Sequence, residues 1–462
     1  MKRHHILAAL ACASAATVGP FAQAQENSAP SLQKTFGSDA FKIDGSFRTR
    51  FEGFDGAFRS SGATEDSLVS FRTLINAEYD AGSFRFGGTL QDSRAYDADT
   101  DTPLSTAEVN TFELLQAYVT AELGDFAGAG TSTELTAGRF TMNLGSKRLA
   151  ATPGFRNTGN GFTGVKADWK GAGKQKFTAF YTLPQQRLPS AKSELLDNET
   201  EWDREGDDLR FWGAFFSTPA VNERSTVELY FYGLDEDDRS DRATRNRHLL
   251  TPGARIYSDQ GTGLFDYEFE GAWQTGDIRT SSAAAAPQVD VSAYTIAAEV
   301  GYTFDTSIKP RVALVGNIAS GDDPDSSDFN RFDTLFGIRR GEWGPSSSLF
   351  GPLSRNNIRD LGVRFEFKPS KRLDGFISAH SVWLDEETDS FAKTGIRDAS
   401  GSSGDFGANQ VEARLRYWIV PDFLQMDIGG AVLNKGSFLK DAPNVQDTSD
   451  THYGYVDFYI HF

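Results

Sequence analysis

The last eight residues of the chain indicate the fold class, and they read Tyr455-Val456-Asp457-Phe458-Tyr459-Ile460-His461-Phe462. Apolar side chains at Val456, Phe458 and Ile460 alternate with more polar neighbours. A period of two residues predicts a β-strand with one apolar face, because successive side chains of a strand point to opposite sides. The segment is close in length to the roughly 9–11 residues with which a tilted strand crosses a membrane.

Two other segments place charged residues on the second face of the same alternation. Val363 and Phe365 alternate with Arg364 and Glu366, and residues 411–418 repeat the arrangement. A charge that faces lipid costs about 2–4 kcal/mol near the middle of a bilayer, so the charged face is expected to meet water. Since hydrocarbon cannot satisfy a free sheet edge, we expect the strands to close into a barrel with the charges inside.

Alternating segments of similar length recur along the chain, at 40–54, 67–80, 83–92, 111–123, 132–141, 160–169, 174–183, 208–217, 225–234, 247–258, 263–274, 289–303, 309–319, 359–368, 372–384, 407–419, 422–434 and 450–462. The links after even-numbered segments are short, whereas most links after odd-numbered segments are long and polar. This sorting is typical of outer-membrane barrels, which have short periplasmic turns and long extracellular loops. We therefore predict an all-β fold, a transmembrane antiparallel up-and-down β-barrel of about 18 strands over residues 40–462.

The start of the chain predicts export. A basic start precedes the apolar run of residues 6–18, and a small-x-small cleavage pattern follows at residues 22–24. We expect residues 1–24 to be a signal peptide and residues 25–39 to be a periplasmic segment. An even number of strands would place both termini in the periplasm and the barrel in the outer membrane of a Gram-negative bacterium. The terminal Phe462 resembles the signal that the outer-membrane assembly machinery reads.

The composition fits an exported barrel and argues against some functions. The net charge is −18, which disfavours nucleic-acid binding because that function needs a basic surface. The single cysteine, Cys12, falls in the predicted signal peptide, so the exported chain is expected to have no disulfide and no thiolate metal ligand. The 37 Phe and 45 Gly, against 3 Met, favour strands over helices.

Catalysis is not expected. The histidines beyond the predicted signal peptide are far apart, and no nucleophile elbow, zinc-binding helix motif or phosphate loop occurs. Ser378 and His380 share one face of a predicted strand, and a polar lumen lining is a simpler interpretation than a hydrolase site. Acidic loops at 97–101, 235–241 and 322–328 have calcium-binding oxygens, but solvated outer loops are the simpler interpretation. No cofactor is expected.

Basic residues recur on the predicted lumen face, at Arg48, Arg50, Arg72, Arg85, Lys166, Arg210, Arg255, Arg364, Arg414 and Arg416. Guanidinium groups bind carboxylates through two parallel hydrogen bonds, so such a lining favours uronates or other acidic solutes. The same faces carry a comparable number of Asp and Glu. A network of ion pairs that holds the barrel in shape is therefore an equally good interpretation.

The segment 138–166 has the strongest local bias toward positive charge. It contains no acidic residue, and its cations are Arg139, Lys147, Arg148, Arg156 and Lys166. A strand, a Gly-rich loop and a returning strand would bring several of these cations to the mouth of the pore. We predict that Arg139, Lys147, Arg148 and Arg156 form its narrow region, which would handle anions.

The same segment resembles the alginate-export family of outer-membrane porins. The family pattern joins a Gly-Arg strand, a Gly-x-x-Arg-Leu stretch, an Arg-Asn-Thr turn and a Phe-x-Gly-Val strand, which here are residues 138–139, 145–149, 156–158 and 162–165. The resemblance continues at 357–361, His380, 383–384 and 436–439. It implies an eighteen-stranded barrel and passive passage of an anionic polysaccharide through an arginine-lined lumen. Phe140 and Thr163 depart from the pattern, so alginate is one possible substrate among several.

The sequence thus favours a non-enzymatic porin that passes anionic oligo- or polysaccharide, or small anionic solutes, by diffusion. The negative net charge keeps a general or cation-preferring porin open as an alternative. An outer-membrane hydrolase of lipid or glycan, and an adhesive barrel with a plugged lumen, are further alternatives. The expected partners are outer-membrane lipid, the anionic solute and the assembly machinery that reads Phe462.

Overall fold

The computed structural model describes residues 30–220, 224–239, 241–345 and 348–462. The strands in these ranges are β1 (Phe41–Asp55), β2 (Glu65–Asp80), β3 (Phe84–Tyr96), β4 (Asn110–Gly124), β5 (Ser132–Phe140), β6 (Phe162–Lys170), β7 (Lys176–Pro184), β8 (Leu209–Pro219), β9 (Ser225–Glu236), β10 (His248–Ser258), β11 (Phe265–Arg279), β12 (Gln288–Thr303), β13 (Arg311–Ala319), β14 (Ile358–Phe367), β15 (Leu373–Trp383), β16 (Phe406–Val420), β17 (Leu424–Lys435) and β18 (Thr451–His461). The prediction of an eighteen-stranded antiparallel barrel is confirmed. The predicted signal peptide, residues 1–24, lies outside the described residues.

Short helices accompany the strands in the described ranges: α1 (Leu32–Phe36), α2 (Lys192–Leu196), α3 (Arg340–Trp343) and α4 (Ser437–Asp441). None of these helices has the length and apolar character needed to cross a membrane. The Gln33 amide of α1 donates to the carbonyl oxygens of Ser38 and Phe41 and accepts from the backbone N–H of Ile43. The residues just before the barrel are therefore tied to its first strand.

The barrel is closed because β1 pairs with both β2 and β18. The β1–β18 register places Arg50 opposite Asp457. These side chains form two parallel hydrogen bonds, Nε–Oδ1 and Nη2–Oδ2, each 2.7 Å long. They are 1% and 0% exposed, so a charge-assisted contact inside the lumen reinforces the backbone ladder where the first and last strands meet.

The two faces of the strands differ as the alternation predicts. On β14, Val363 is 51% exposed on the outer face, whereas the neighbouring Arg364 and Glu366 bond to each other on the inner face. On β18, Phe458 is exposed and Tyr455 is buried. An outer apolar surface and a polar interior are what a barrel in lipid requires.

Link lengths alternate around the barrel, which confirms the predicted sorting. One end carries the short links, at 81–83, 125–131, 171–175, 220–224, 259–264, 304–310, 368–372 and 421–423. The other end carries the links 56–64, 97–109, 141–161, 185–208, 237–247, 280–287, 320–357, 384–405 and 436–450. Because the number of strands is even, the start of β1 and the end of β18 lie together at the short-turn end.

Some strands extend farther toward the long links than the sequence predicts. The alternation predicts 83–92 for β3 and 263–274 for β11, but these strands continue to Tyr96 and Arg279. Beyond the apolar part of a membrane the outer face no longer has to be apolar, while the backbone ladder still forms hydrogen bonds. The hydrophobic alternation therefore marks the membrane-crossing part of a strand and underestimates its full length.

Candidate functional site

The link between β5 and β6, residues 141–161, folds into the barrel, where β1 and β2 hold it. Arg48 and Arg72 lie directly opposite each other, near the middle of these two strands. Their guanidinium groups donate to the backbone carbonyl oxygens of residues 154–156, with a shortest distance of 2.8 Å. Carbonyl oxygens offset the repulsion between the two arginines, and the arginines in turn fix this link about halfway down the lumen.

The link between β13 and β14 also enters the lumen over its described residues, 320–345 and 348–357, and bonds to the first link. The Ala151 N–H donates to the Phe336 carbonyl oxygen at 3.2 Å. The Arg355 guanidinium donates to the Arg148 carbonyl oxygen at 2.6 Å. We call residues 141–161, 320–345 and 348–357 together the inner loops.

Side chains of the barrel wall hold the second inner loop in place. The Trp343 indole N–H donates to Asp360 on β14 at 3.0 Å, and the Trp343 carbonyl oxygen accepts from Gln410 on β16 at 3.0 Å. The Leu349 N–H donates to Glu52 on β1 at 3.2 Å. Contacts to three separate strands indicate that this loop is part of the fixed lumen structure.

An ion cluster joins the inner loops to β11. Arg148 Nη1 lies 2.5 Å from carboxylate oxygens of both Glu268 and Glu270. Glu342 on α3 bonds to both Arg148 and Arg355. Burial opposes the charged form of Arg148, but the surrounding carboxylates, Glu342 first, hold its pKa well above the usual value. Arg148 therefore acts as a structural cation whose charge is already compensated.

A cavity of about 420 Å³ lies between the inner loops and the link after β7, and we call it the cationic cavity. The cationic residues that line it are Arg156, Arg187, Arg242, Arg339 and Lys393. Among the described residues of its lining there is no Asp or Glu. Asn160, Gln185 and Gln186 supply neutral polar groups to the same wall. This excess of one sign of charge makes the cavity the strongest candidate for a solute site.

Two of the arginines are held by neutral acceptors. Arg156 and Arg187 both donate to Oδ1 of Asn160, at 2.5 and 2.7 Å. Arg156 also donates to the carbonyl oxygens of Thr158 and Gly159, both at 2.9 Å. Neutral acceptors fix the orientation of the guanidinium groups without cancelling their charge. The carboxylates that act on Arg156 and Arg187, Glu108 and Asp203, lie outside the cavity lining, so the side of the arginines that faces the cavity is available to a solute.

Burial and the crowding of positive charge lower the pKa of several of these groups. The pKa of Lys393 falls to about 8, because Arg339 repels its proton and burial disfavours the charged form. Burial and the nearby Arg355 lower the pKa of Arg339 to about 10. Burial and then Arg187 lower the pKa of Arg156 well below its usual value. Solvent reaches the Lys393 side chain although protein surrounds it, so its charge acts on whatever occupies the cavity.

A second cavity of about 580 Å³ adjoins the first and shares Arg242 and Lys393 with it. We call it the outer cavity. Its lining includes Arg247, which bonds to Glu236 at 2.8 Å and to Asp333 at 2.6 Å. The outer cavity therefore has carboxylates beside its cations, and the cationic cavity is the place where positive charge accumulates.

Most of the strand cations predicted to lie on the lumen face are paired with carboxylates. The pairs are Arg50–Asp457, Arg85–Glu134, Lys166–Asp168, Arg210–Asp237, Arg255–Glu228, Arg364–Glu366, Arg414–Asp374 and Arg416–Asp374. Arg48 and Arg72 hold an inner loop instead. These contacts favour the ion-pair interpretation for the strands, and a role of these residues in solute passage stays a prediction.

The four cations predicted to form the narrow region have separate surroundings. Arg139 bonds to two glutamates, at 2.8 and 2.6 Å, and Arg148 lies in the ion cluster. Lys147 is exposed, and Arg156 lines the cationic cavity. The segment 138–166 contains no acid, but carboxylates from other parts of the chain reach two of its arginines. Of the four, the structure places Arg156 in the cationic cavity.

Sequence reasoning did not identify Arg187, Arg242, Arg339 and Lys393 as candidate site residues. All four lie in long links, at the end of the barrel that the sequence analysis assigned to extracellular loops. A usable signal was the length of the links 185–208, 320–357 and 384–405, because links longer than about 12–15 residues are uncommon and are usually either functional or disordered. Whether such a link folds inward or outward is not encoded by any periodicity.

The remaining candidate for chemistry, His380, has structural contacts. Its Nδ1 lies 2.7 Å from Oδ2 of Asp360, and the other oxygen of Asp360 accepts from Trp343. These hydrogen bonds connect β14 and β15 to an inner loop. Within the ranges that the structure describes, no group of three or more His, Cys, Asp or Glu is placed to hold a metal ion.

Comparisons with known proteins agree with this architecture. The family described as alginate export matches residues 40–451. No curated protein matches the chain. The solved structures similar to it include Pseudomonas aeruginosa OccK8 (OprE), at 12% identity and a TM-score of 0.57, covering 91% of this chain and 98% of that one. The outer membrane protein opdK from Pseudomonas aeruginosa has 13% identity and a TM-score of 0.56, covering 91% and 99%. Pseudomonas aeruginosa OccK2 (OpdF) in complex with glucuronate has 14% identity and a TM-score of 0.55, covering 91% and 96%.

Proposed function

The chain belongs to the alginate export family, and from this premise we propose that its outer-membrane barrel is a passive channel that prefers anionic solutes, from small carboxylates to uronate-like saccharides. The observation that carries the proposal is the cationic cavity, in which Arg156, Arg187 and Lys393 meet no carboxylate among the described lining residues. Guanidinium and ammonium groups in such a cavity replace the water and counterions of a passing anion. A similarly folded barrel in complex with glucuronate is consistent with a uronate as one such solute.

The reversal potential of the purified protein in a planar bilayer tests this proposal. Under a potassium chloride gradient, we expect the potential to have the sign of a chloride-preferring pore. Arg156→Gln should reduce the preference, whereas Arg416→Gln removes the same charge from a strand residue that is paired with Asp374 and should change it less. A potassium-preferring wild-type pore would contradict the proposal.

A general or cation-preferring porin is the second candidate. It is favoured by the net charge of −18 and by the carboxylates that compensate most strand cations. The two candidates predict opposite signs of the reversal potential in the same measurement. The cationic cavity lies between the inner loops inside the barrel, and this placement supports the anion-preferring candidate.

A transport role without catalysis is also part of the proposal. His380, the histidine that a hydrolase would use with Ser378, is 5% exposed and bonded to Asp360. Its contacts are accounted for by the anchoring of an inner loop. Lipid or glycan hydrolysis by the wild-type protein that disappears in His380→Ala would contradict this part of the proposal.

For the orientation, we propose that the long-link end is extracellular, that residues 25–39 and Phe462 are periplasmic, and that residues 1–24 are removed. The even strand number and the sorting of link lengths support this. The chain without Cys12 has no other cysteine, so single cysteines can report the sides. An impermeant maleimide should label Ala399→Cys on intact cells but not Ala172→Cys, and the reverse pattern would contradict the orientation.

A further inference from the structure

The cationic cavity holds more positive charge than one monovalent anion balances. Arg156 and Arg187 donate to neutral acceptors, and the Lys393 side chain is open to the cavity. Arg242 shares its carboxylate partner, Glu236, with Arg247. Glu108, Asp203 and Asp333 offset part of this positive charge from outside the cavity lining. A bound solute with two carboxylates relieves more of the remaining repulsion between the cations than a solute with one.

The wall of the same cavity contains an amide whose hydrogen bonds are unmade. Gln185 is 7% exposed, and neither its Nε2 nor its Oε1 has a partner within the described part of the chain. Gly161 lies against this side chain, and a Cβ at Gly161 would stand 2.0 Å from Oε1. Because Gly161 has no side chain, the Gln185 amide fits against it in the cavity wall. A buried amide without partners is unfavourable, and a hydroxyl group can satisfy it because a hydroxyl both donates and accepts.

The size and boundaries of the cavity favour a compact solute over a chain. Its volume of about 420 Å³ lies in the range of small-molecule sites. The inner loops that border it are bonded to each other by Ala151 and Phe336 and by Arg355 and Arg148. A single compact molecule of this volume fits beside the loops without breaking these contacts.

We propose that the cationic cavity selects sugar diacids, which are compact polyhydroxylated molecules with two carboxylates, over sugar monoacids and over uronate chains. The proposal rests on the anion-preferring channel described above and specifies its substrate class. The carboxylates would contact Arg156, Arg187 and Lys393, and a hydroxyl group would bond to the Gln185 amide. The outer cavity, where carboxylates accompany the cations, would be the less selective approach to this site.

Three potassium salts separate charge from hydroxyl recognition. Glucarate has two carboxylates and several hydroxyls, glucuronate has one carboxylate and hydroxyls, and adipate has two carboxylates and no hydroxyl. Reversal potentials under gradients of each salt give the permeability of each anion relative to potassium. We expect glucarate to be the most permeant, by at least about fourfold over glucuronate, which is the effect of one extra charge pair in a water-filled site.

Single substitutions show which residue recognises the hydroxyl groups and which recognises the second carboxylate. Gln185→Leu should reduce the advantage of glucarate over adipate, and Lys393→Met should reduce its advantage over glucuronate. Lys371→Met, at an exposed position in the turn 368–372, is the matched control and should alter neither ratio. A tetrameric uronate should not carry current.

The outcomes distinguish this inference from the proposed function. If glucuronate is as permeant as glucarate while chloride remains preferred over potassium, the diacid inference is wrong and the anion-preferring channel stands. A permeant tetrameric uronate, or a ratio of glucarate to adipate that Gln185→Leu leaves unchanged, also overturns the inference. If potassium is preferred over every anion tested, the proposed function itself is wrong.

Discussion

Lys393→Met is the sharpest single test of the cationic cavity. The substitution removes one positive charge from the wall and keeps an unbranched side chain of similar length. Lys393 lies in the link 384–405, outside the strands, so the barrel is expected to form normally. The change in anion preference therefore reports the charge of the cavity rather than the stability of the fold.

The expected size of the effect follows from the volume of the cavity. A sphere of about 420 Å³ has a radius of about 5 Å, and two unit charges at that separation interact by about 0.8 kcal/mol at the dielectric constant of water and by about 3 kcal/mol at an effective value of 20. The first energy corresponds to a change of about fourfold in relative anion permeability, and the second to a change of more than about a hundredfold. Because solvent reaches Lys393, we expect a decrease near the lower limit at pH 7.

The pH dependence identifies the group that is responsible. The pKa of Lys393 is lowered to about 8, so this lysine is charged at pH 7 and neutral at pH 9.5. The charges that face it are Arg339, Arg156 and Arg187, which lower its pKa, and Asp333, which raises it. Anion preference of the wild-type channel should fall as the pH rises through about 8, and the difference between wild type and Lys393→Met should close by pH 9.5.

Reversal potentials at pH 7 and pH 9.5 measure both effects, with Lys371→Met as the charge-matched control at the short-turn end. The reasoning is refuted if Lys393→Met has the wild-type preference at pH 7. It is also refuted if the difference between the two proteins is as large at pH 9.5 as at pH 7.

Three further predictions concern stability and the inner loops. Asp457→Asn leaves Arg50 buried without its counter-charge, and we expect a loss of about 3–5 kcal/mol in the free energy of unfolding, measured by urea titration in lipid vesicles; an unchanged midpoint would show that the closing pair is dispensable. Glu342→Gln removes a carboxylate that two arginines of the inner loops share, so limited proteolysis should cut the link 320–357 faster than in the wild type, and equal rates would argue against an anchoring role. Val363→Arg, in the middle of β14 on the outer face, should cost about 2–4 kcal/mol of folding free energy in the same titration. Val420→Arg, at the end of β16, should cost only about 0–1 kcal/mol. Equal costs would contradict the assignment of the lipid face.

Much of the fold could be predicted from the sequence, because each residue of a strand in lipid must be apolar if it faces the lipid and can be polar if it faces the lumen. Val363, Phe365 and the residues between them report their faces directly, since neighbouring side chains of a strand point to opposite sides. The parity of the link lengths then gives the direction of each strand. The predicted bounds of β3 and β11 are too short because the constraint ends where the lipid ends.

Little of the candidate site could be predicted in the same way. Arg156 was predicted from a local excess of positive charge, and it does line the cationic cavity. Arg148 was predicted from the same excess, but Glu268 and Glu270 compensate it from a strand more than a hundred residues away in sequence. Lys393 carried no signal beyond the length of its link, because an isolated lysine in a polar link looks the same whether the link folds into the lumen or into solvent.

The sequence by itself determined the barrel, its strand number, its two faces and the sorting of its links, because the alternation of side chains and the insolubility of free backbone groups in hydrocarbon act locally along each strand. Tertiary structure alone decided which cations are paired with carboxylates and which can contact a solute. Acidic and basic residues are present in comparable numbers on the lumen face, so pairing depends on which links fold inward and which strands they meet. That choice is made by contacts between residues far apart in the chain, such as Arg48 with the carbonyl oxygen of Phe155, and not by any pattern within one segment.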